Sequence, residues 1–284
     1  MSAARVPTFV KWAGGKTTLL PQYNRFFPKE FKRYFEPFLG SGAVYFYLKQ
    51  RRQIKNGILS DVNEDLVNVY QAVREQPREL LVRLREHERA HHQLREKYYY
   101  QIRDGTPEWN DALRQAARLI YLNRTCYNGL YRVNASGKFN VPIGRYTRPE
   151  IVRDHVILGA SKLLTDAELH VRPFEEVLDH ARAEDFIYFD PPYYPLSKTA
   201  SFTGYQKFPF GEREHRKLAE VFGELDRRGC FVMLSNSSAP FILDLYKEYR
   251  GLLHFISARR SISSNPKTRG AVKEILVVNY AADA

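Results

Sequence analysis

The sequence predicts an α/β protein with a Rossmann-like sheet and an inserted, mainly helical domain. Three observations predict it. The run Asp185-Phe186-Ile187-Tyr188-Phe189 is apolar and aromatic and stops before Pro191-Pro192, as a buried strand does where proline has no N–H for the ladder. Arg33–Phe38 reads as another strand, followed by Leu39-Gly40-Ser41-Gly42 and a helical pattern over Ala43–Gln50; strand, glycine turn and helix begin a dinucleotide-type βαβ unit. Between these strands lies a long charged, amphipathic helical stretch, so the αβ alternation is interrupted and then resumes.

The elements follow in order. Phe9-Val10-Lys11-Trp12-Ala13-Gly14-Gly15-Lys16 holds two glycines that permit a tight turn and close backbone approach to a ligand. Lys16 is placed like the end of a phosphate loop, but the upstream glycine of that motif is missing, which argues against ATP. Trp12 serves either as a core anchor or as a ring lying against a cation or another ring. Thr17 to Phe27 reads as a short helix stopped at Pro28, and Gly57–Asp61 as a strand ending in a carboxylate. Asp61 lies about 20 residues past the glycine turn, where an acid binds ribose hydroxyls in such folds; capping the helix from Asn63 is its alternative role. From Glu64 to Tyr100 the pattern is helical, with His87, His91 and His92 expected on a solvated face. A break over Asp104–Asn110 precedes a helix over Asp111–Arg124. After Asp190, helices are expected over Glu212–Arg227 and Phe241–Tyr249, and strands over Cys230–Asn236, Leu252–Ala258 and Ile275–Tyr280, the last two joined by the loop Arg259–Val272. The sheet-forming part is placed at 1–74 and 155–284, and the inserted part at 75–154.

Composition narrows the function. The chain has 284 residues, 44% hydrophobic, with a formal charge of +12 and a pI near 9.6, a balance that points to a polyanionic partner. Two distant cysteines, Cys126 and Cys230, lack metal spacing and argue against zinc and disulfides. The N-terminal stretch has no apolar h-region and no run is long enough to span a bilayer, so a cytoplasmic protein without membrane contact is expected. Between Arg118 and Arg153 there are seven Lys or Arg against one acid, Glu150, and aromatic rings alternate with the basic groups. Arginines that fork onto guanine edges and rings that wedge into a gap are what duplex reading requires.

The tetrapeptide Asp190-Pro191-Pro192-Tyr193 is placed at the carboxyl end of a strand, the edge where open α/β sheets bind ligands. It suits methylation of an aromatic amine. The lone pair of such an amine is delocalised into the ring; a carboxylate and a backbone carbonyl that accept its two N–H bonds pull the nitrogen towards tetrahedral geometry. The prolines fix the carbonyl, and Tyr193 offers a face for the base. An Asp-Pro turn closing a strand is the alternative.

Together the segments FVKWAGGK, FEPFLGSGAVYF, SDVNEDLVNVY, LNRTCYNGLYRVNASGKFNVPIGRY, YFDPPYYPLS and EILVVNY resemble, over nearly the whole chain, the D12-class DNA adenine-N6 methyltransferases of the Dam and DpnM type. The resemblance implies a methyltransferase sheet, S-adenosylmethionine as donor with S-adenosylhomocysteine as product, and adenine in double-stranded GATC as target, flipped from the duplex. It puts Trp12, Lys16, Asp61 and Asp190 at donor-contacting positions, with Pro37, Phe38 and the Gly40-Ser41-Gly42 turn against the donor and Phe174 on its adenine. Asp190, Pro191, Pro192 and Tyr193 would hold the target adenine. Lys11, Leu130, Arg132, Asn134, Pro142 and Arg145 fall among positions that read or clamp DNA, and Tyr127 and Asn128 among those that fill the gap. One departure stands out: Pro173 replaces an aspartate that would bond the donor's adenine amine, with Glu175 or Glu176 as substitutes. The resemblance leaves open a cognate restriction endonuclease and implies no oligomer. Cytosine-N4 or RNA adenine methylation, a nicotinamide oxidoreductase, and a non-catalytic DNA-binding protein are the competing readings.

Overall fold

The computed structural model describes residues 6–105, 110–196, 210–259 and 271–282. The loop expected over Arg259–Val272 lies almost wholly outside them. In chain order the strands are β1 (Tyr34–Glu36), β2 (Gly57–Asp61), β3 (Glu168–Val171), β4 (Phe186–Phe189), β5 (Phe231–Ser237), β6 (Leu253–Arg259) and β7 (Ala271–Val278). The helices are α1 (Leu20–Tyr23), α2 (Ala43–Gln50), α3 (Glu64–Glu75), α4 (Pro77–Leu94), α5 (Glu96–Asp104), α6 (Ala112–Thr125), α7 (Asp154–Leu164), α8 (Val177–His180), α9 (Glu212–Arg227) and α10 (Pro240–Leu245), with single 3₁₀ turns between some of them. Mostly parallel strands alternating with helices make this a Rossmann-like α/β fold, as expected. Among the described residues, those up to 17 and from 39 to 172 form one compact unit, and those of 18–38 and from 173 onward a second.

In the second unit the strand order is β1-β4-β5-β7-β6. β4 runs parallel to β1 and β5, and β7 is antiparallel to β5 and β6. All four residues of β4 are buried, the continuous apolar run of a parallel strand covered on both faces. Arg33 bonds Asp185 through Nε at 3.1 Å and Nη2 at 2.6 Å, fixing the starts of β1 and β4 together. Pro37 follows β1 directly and holds it to three residues. The expected helix over Thr17–Phe27 is instead α1 flanked by 3₁₀ turns, with Pro21 in its first turn.

In the first unit β2 pairs in parallel with β3. The glycine turn after β1 leads into α2, whose bounds match the expected ones. The helical stretch from Glu64 divides into α3, α4 and α5. The first break falls at Gln76, before Pro77 opens α4; the second falls at Arg95, which has a positive φ of 42°. Asn63, not Asp61, caps α3 by accepting from Leu66 N–H at 3.3 Å.

The expectation of a solvated histidine face is corrected for two of the three residues. His87 stacks on Tyr121 with centroids 4.8 Å apart and bonds the Tyr98 hydroxyl through Nδ1 at 2.8 Å; His91 is buried and bonds the Tyr121 hydroxyl at 2.9 Å. Only His92 is exposed. Burial pushes His87 down to about 4 from an ordinary 6.5. Between those values the unfolded chain binds a proton that the folded chain refuses. This contribution to stability is therefore complete above about pH 6.5 and is lost as pH falls towards about 4. Thermal denaturation should show Tm falling across that window, and falling less in His87→Phe; identical slopes would detach His87 from the acid sensitivity. No helix among the described residues is long and apolar enough to cross a membrane.

Candidate active site

The first unit carries the glycine turn and its acid. Gly40 and Gly42 take positive φ values of 46° and 62°, which side chains disfavour. A Cβ on Gly40 would come within 3.0 Å of the Trp12 ring, and one on Gly42 within 2.7 Å of the Tyr70 hydroxyl. That hydroxyl donates to the Gly40 carbonyl at 3.0 Å. From the end of β2, Asp61 accepts Gly40 N–H on Oδ2 at 3.2 Å and Asn63 N–H on Oδ1 at 3.0 Å. A carboxylate has about four acceptor positions, so these two bonds hold Asp61 in place without exhausting it. Burial raises it to about 6 against the pull of the Asn63, Gly40 and Val62 N–H groups. An acid with acceptor capacity beside a backbone turn stripped of side chains fits a ribose-bearing donor.

Trp12 is half-buried and stacks on Tyr131 with centroids 5.3 Å apart, so the core-anchor reading gives way to a ring supported on one face. Tyr131 in turn donates to Asp65 Oδ2 at 2.8 Å. Lys16 is buried, its ammonium turned back to the Gly14 carbonyl, and Gly15 N–H bonds Trp12 O at 3.1 Å to close the turn.

The same unit carries the basic, aromatic stretch that follows α6. Two isolated β-bridges, Cys126↔Ile143 and Val133↔Phe139, hold its turns. Asn123, buried in α6, accepts Lys11 N–H at 2.7 Å and donates to the carbonyls of Lys11 at 2.7 Å and Gly129 at 2.9 Å. Lys11 places its ammonium 4.3 Å from the centre of the Tyr146 ring. Tyr127 is 49% exposed, and next to it Asn128 is exposed with a positive φ of 55°, which projects the turn outward. Leu130 is half-buried, whereas Arg132, Pro142 and Arg145 are exposed. Arg132 bonds Asn140 Oδ1 at 2.7 Å and its carbonyl at 3.1 Å. Asn134 differs from the other expected DNA contacts: its Oδ1 accepts Ser136 and Lys138 N–H at 3.1 and 2.9 Å and shapes the turn.

The second unit carries the tetrapeptide. Asp190 follows β4 directly, half-buried, with Pro191 buried behind it. Three consecutive residues at the end of β5 hold this segment. Ser235 donates to Asp190 Oδ1 at 2.7 Å, Asn236 Oδ1 accepts Tyr194 N–H at 3.2 Å, and Ser237 donates to Tyr194 O at 2.6 Å. Tyr188 shares a 3.0 Å bond with Ser235. Tyr193 donates to Glu274 Oε2 on β7 at 2.7 Å. Burial first, then the Asp190 charge, raises the Tyr193 phenol far above its ordinary range, so it stays a donor. None of Ser235, Asn236, Ser237 or Glu274 was foreseen as part of the site.

Beyond the buried Pro37, Phe38 stacks on Phe174 with centroids 5.4 Å apart, and Phe210 meets both edge-on or tilted at 5.6 and 5.9 Å. Glu175, one of the residues expected to stand in at Pro173, is ion-paired to Lys217.

A carboxylate with two prolines and an aromatic ring at the carboxyl end of a parallel strand, in a chain with a glycine turn and a second acid, defines a Rossmann-like methyltransferase acting on an amine. Comparison with known proteins makes the assignment specific. The family described as D12 class N6 adenine-specific DNA methyltransferase matches residues 12–262, and the chain belongs to it. It is 41% identical to the Type II methyltransferase M.MjaIII of Methanocaldococcus jannaschii, with 97% of this chain and 99% of that protein covered. It is 38% identical to the Type II methyltransferase M1.LlaDCHI of Lactococcus lactis subsp. cremoris, covering 96% and 95%. It is 37% identical to the DNA adenine methylase of Escherichia coli strain K12, covering 95% and 94%. The protein is thus an adenine-specific DNA methyltransferase, and DNA is its substrate.

Proposed function

We propose that the chain transfers the methyl group of S-adenosylmethionine to N6 of an adenine in double-stranded GATC, with the adenine turned out of the duplex. The observation that carries this reading is the Asp190 carboxylate at the carboxyl end of β4, aimed by the Ser235 hydroxyl at 2.7 Å. Asp190 accepts one N6–H bond and the Pro191 carbonyl accepts the other. The nitrogen lone pair is thereby drawn out of conjugation, while Tyr193 stacks on the base, a contact worth about 1–3 kcal/mol. Asp190 acts as an acceptor more than as a strong base, because the amine loses its proton readily once methylated. Holding the reacting groups in line supplies much of the rate.

When bound, S-adenosylmethionine supplies an activated methyl on a sulfonium. Asp61 would take its ribose hydroxyls, the Gly40-Ser41-Gly42 backbone and Trp12 would contact it, and Phe38 and Phe174 would offer rings to its adenine. Lys16 and Pro37 complete the set. In the stretch after α6, Lys11, Leu130, Arg132, Pro142 and Arg145 read or clamp the site, and Tyr127 and Asn128 occupy the gap. Residues 75–154 then serve as the inserted target-recognition part. The likeness to two Type II methyltransferases supports a place in a restriction-modification system, with a cognate restriction endonuclease as partner.

Plasmid from a methylation-deficient host, incubated with the protein and donor, should become resistant to a nuclease blocked by adenine methylation in GATC, and mass spectrometry should find N6-methyladenine. Complete cleavage, or N4-methylcytosine as the product, overturns the reading. The donor side has its own test. Only ionised Asp61 offers both oxygens to hydroxyls, and burial pushes its carboxyl up to about 6. Affinity for S-adenosylhomocysteine, measured by calorimetry, should be level above about pH 7 and weaken below about pH 6 by up to about tenfold per unit. A flat profile removes Asp61 from the donor site.

A further inference from the structure

We propose that Glu274, on β7, is a positioning residue for methyl transfer: it holds the Tyr193 ring in the plane on which the target adenine stacks. The proposal rests on the reading of Asp190–Tyr193 as the adenine site.

Glu274 heads a run, Ile275, Leu276, Val277 and Val278, in which every residue is fully buried. A half-buried carboxylate within such a strand, next to its buried run, needs a partner to offset lost hydration. It has one in Tyr193, whose hydroxyl donates at 2.7 Å across 81 positions of sequence. The strand carrying Glu274 is itself fixed. β7 lies between β5 and β6, and Glu274 is directly opposite Ser237 in the antiparallel register. Ser237 holds the Tyr194 carbonyl and Asn236 its N–H. The backbone is therefore pinned just after Tyr193 and, through Ser235 and Asp190, shortly before it. The Tyr193 ring is held at its far end through the hydroxyl, and the bond to Glu274 is the hold that comes from β7. A stacking platform held at both ends need not be ordered anew when the base arrives, which lowers the entropic cost of reaching an aligned geometry.

The test compares Glu274→Ala, Glu274→Gln, Tyr193→Phe and the double variant Glu274→Ala/Tyr193→Phe in the full-length protein. Single-turnover methyl transfer and 2-aminopurine fluorescence at the target position are the readouts. Glutamine keeps an acceptor oxygen; alanine does not. Glu274→Ala and Tyr193→Phe should each slow transfer by about tenfold, with 2-aminopurine emission changed because the base stacks less firmly. Glu274→Gln should restore transfer to near the wild-type rate. The double variant should be no slower than Tyr193→Phe alone, since Glu274 acts through the Tyr193 hydroxyl that this change already removes. Additive losses, equal losses in the alanine and glutamine variants, or an unaffected Tyr193→Phe enzyme would overturn the proposal. If Glu274→Ala does not fold, Glu274→Leu/Tyr193→Phe against Tyr193→Phe gives the same comparison. Tyr193→Ala separates this claim from the one beneath it: an unchanged rate in that variant removes Tyr193 from the adenine site altogether.

Discussion

Asp190→Asn is expected to lower the rate of methyl transfer by about 10²-fold or more, the usual effect of removing one preorganised polar partner of a transition state, while the protein stays folded. Asparagine keeps the size of the side chain and an Oδ1 for the 2.7 Å bond from Ser235. The four residues of β4 before it are all buried and do not depend on the carboxylate. What changes is the other terminal atom, an acceptor replaced by a donor that meets the N–H of the substrate amine. Asp190→Ala removes the acceptor as well and should also fold and fail. Single-turnover kinetics with circular dichroism on the same samples decides the matter. A folded variant that methylates at more than about a tenth of the wild-type rate would end the role assigned to Asp190.

The second large effect concerns sequence reading. Arg132→Ala should relax discrimination between the cognate site and sites changed at one base pair by about 1–3 kcal/mol, with a smaller effect on binding to unrelated DNA. The Arg132 guanidinium is exposed and supported by the side-chain and backbone oxygens of Asn140 at 2.7 and 3.1 Å. That support presents a planar fork, and lysine cannot replace it. The measurement is kcat/KM on matched cognate and near-cognate duplexes. Unchanged discrimination in Arg132→Ala would move the readout to another residue, with the exposed Arg145 the next to substitute.

The elements that were legible in the sequence are those whose ends are fixed locally. α2 and β2 have the bounds their glycines and terminal acid suggest, and α9 spans Glu212–Arg227 as its periodicity requires. α7 and β3 were overlooked. α7 shows its signal in the spacing of Val156, Ile157, Ala160 and Leu164, all buried. β3 is a four-residue strand with two exposed positions and little apolar content to announce it. His87 and His91 sit in a charged, repetitive run that looks solvated, and only the tertiary placement of Tyr98 and Tyr121 reveals their burial. The site divides in the same way. Asp190–Tyr193, Asp61 and the glycine turn are contiguous motifs. Ser235, Asn236 and Ser237 read only as the end of a strand, because their partners lie more than 40 residues away. Glu274 reads only as one polar residue before an apolar run. Long-range hydrogen bonds leave no local pattern, and the contacts that aim the motif were invisible for that reason.

The two cysteines carry a last consequence. Cys126 lies buried just after α6, and Cys230 lies buried just before β5. Burial pushes both thiols up to about 11, so at pH 7 only roughly one in 10⁴ is the reactive thiolate. Peroxide and alkylating reagents accordingly meet little thiolate at either cysteine, and both thiols should react slowly at neutral pH.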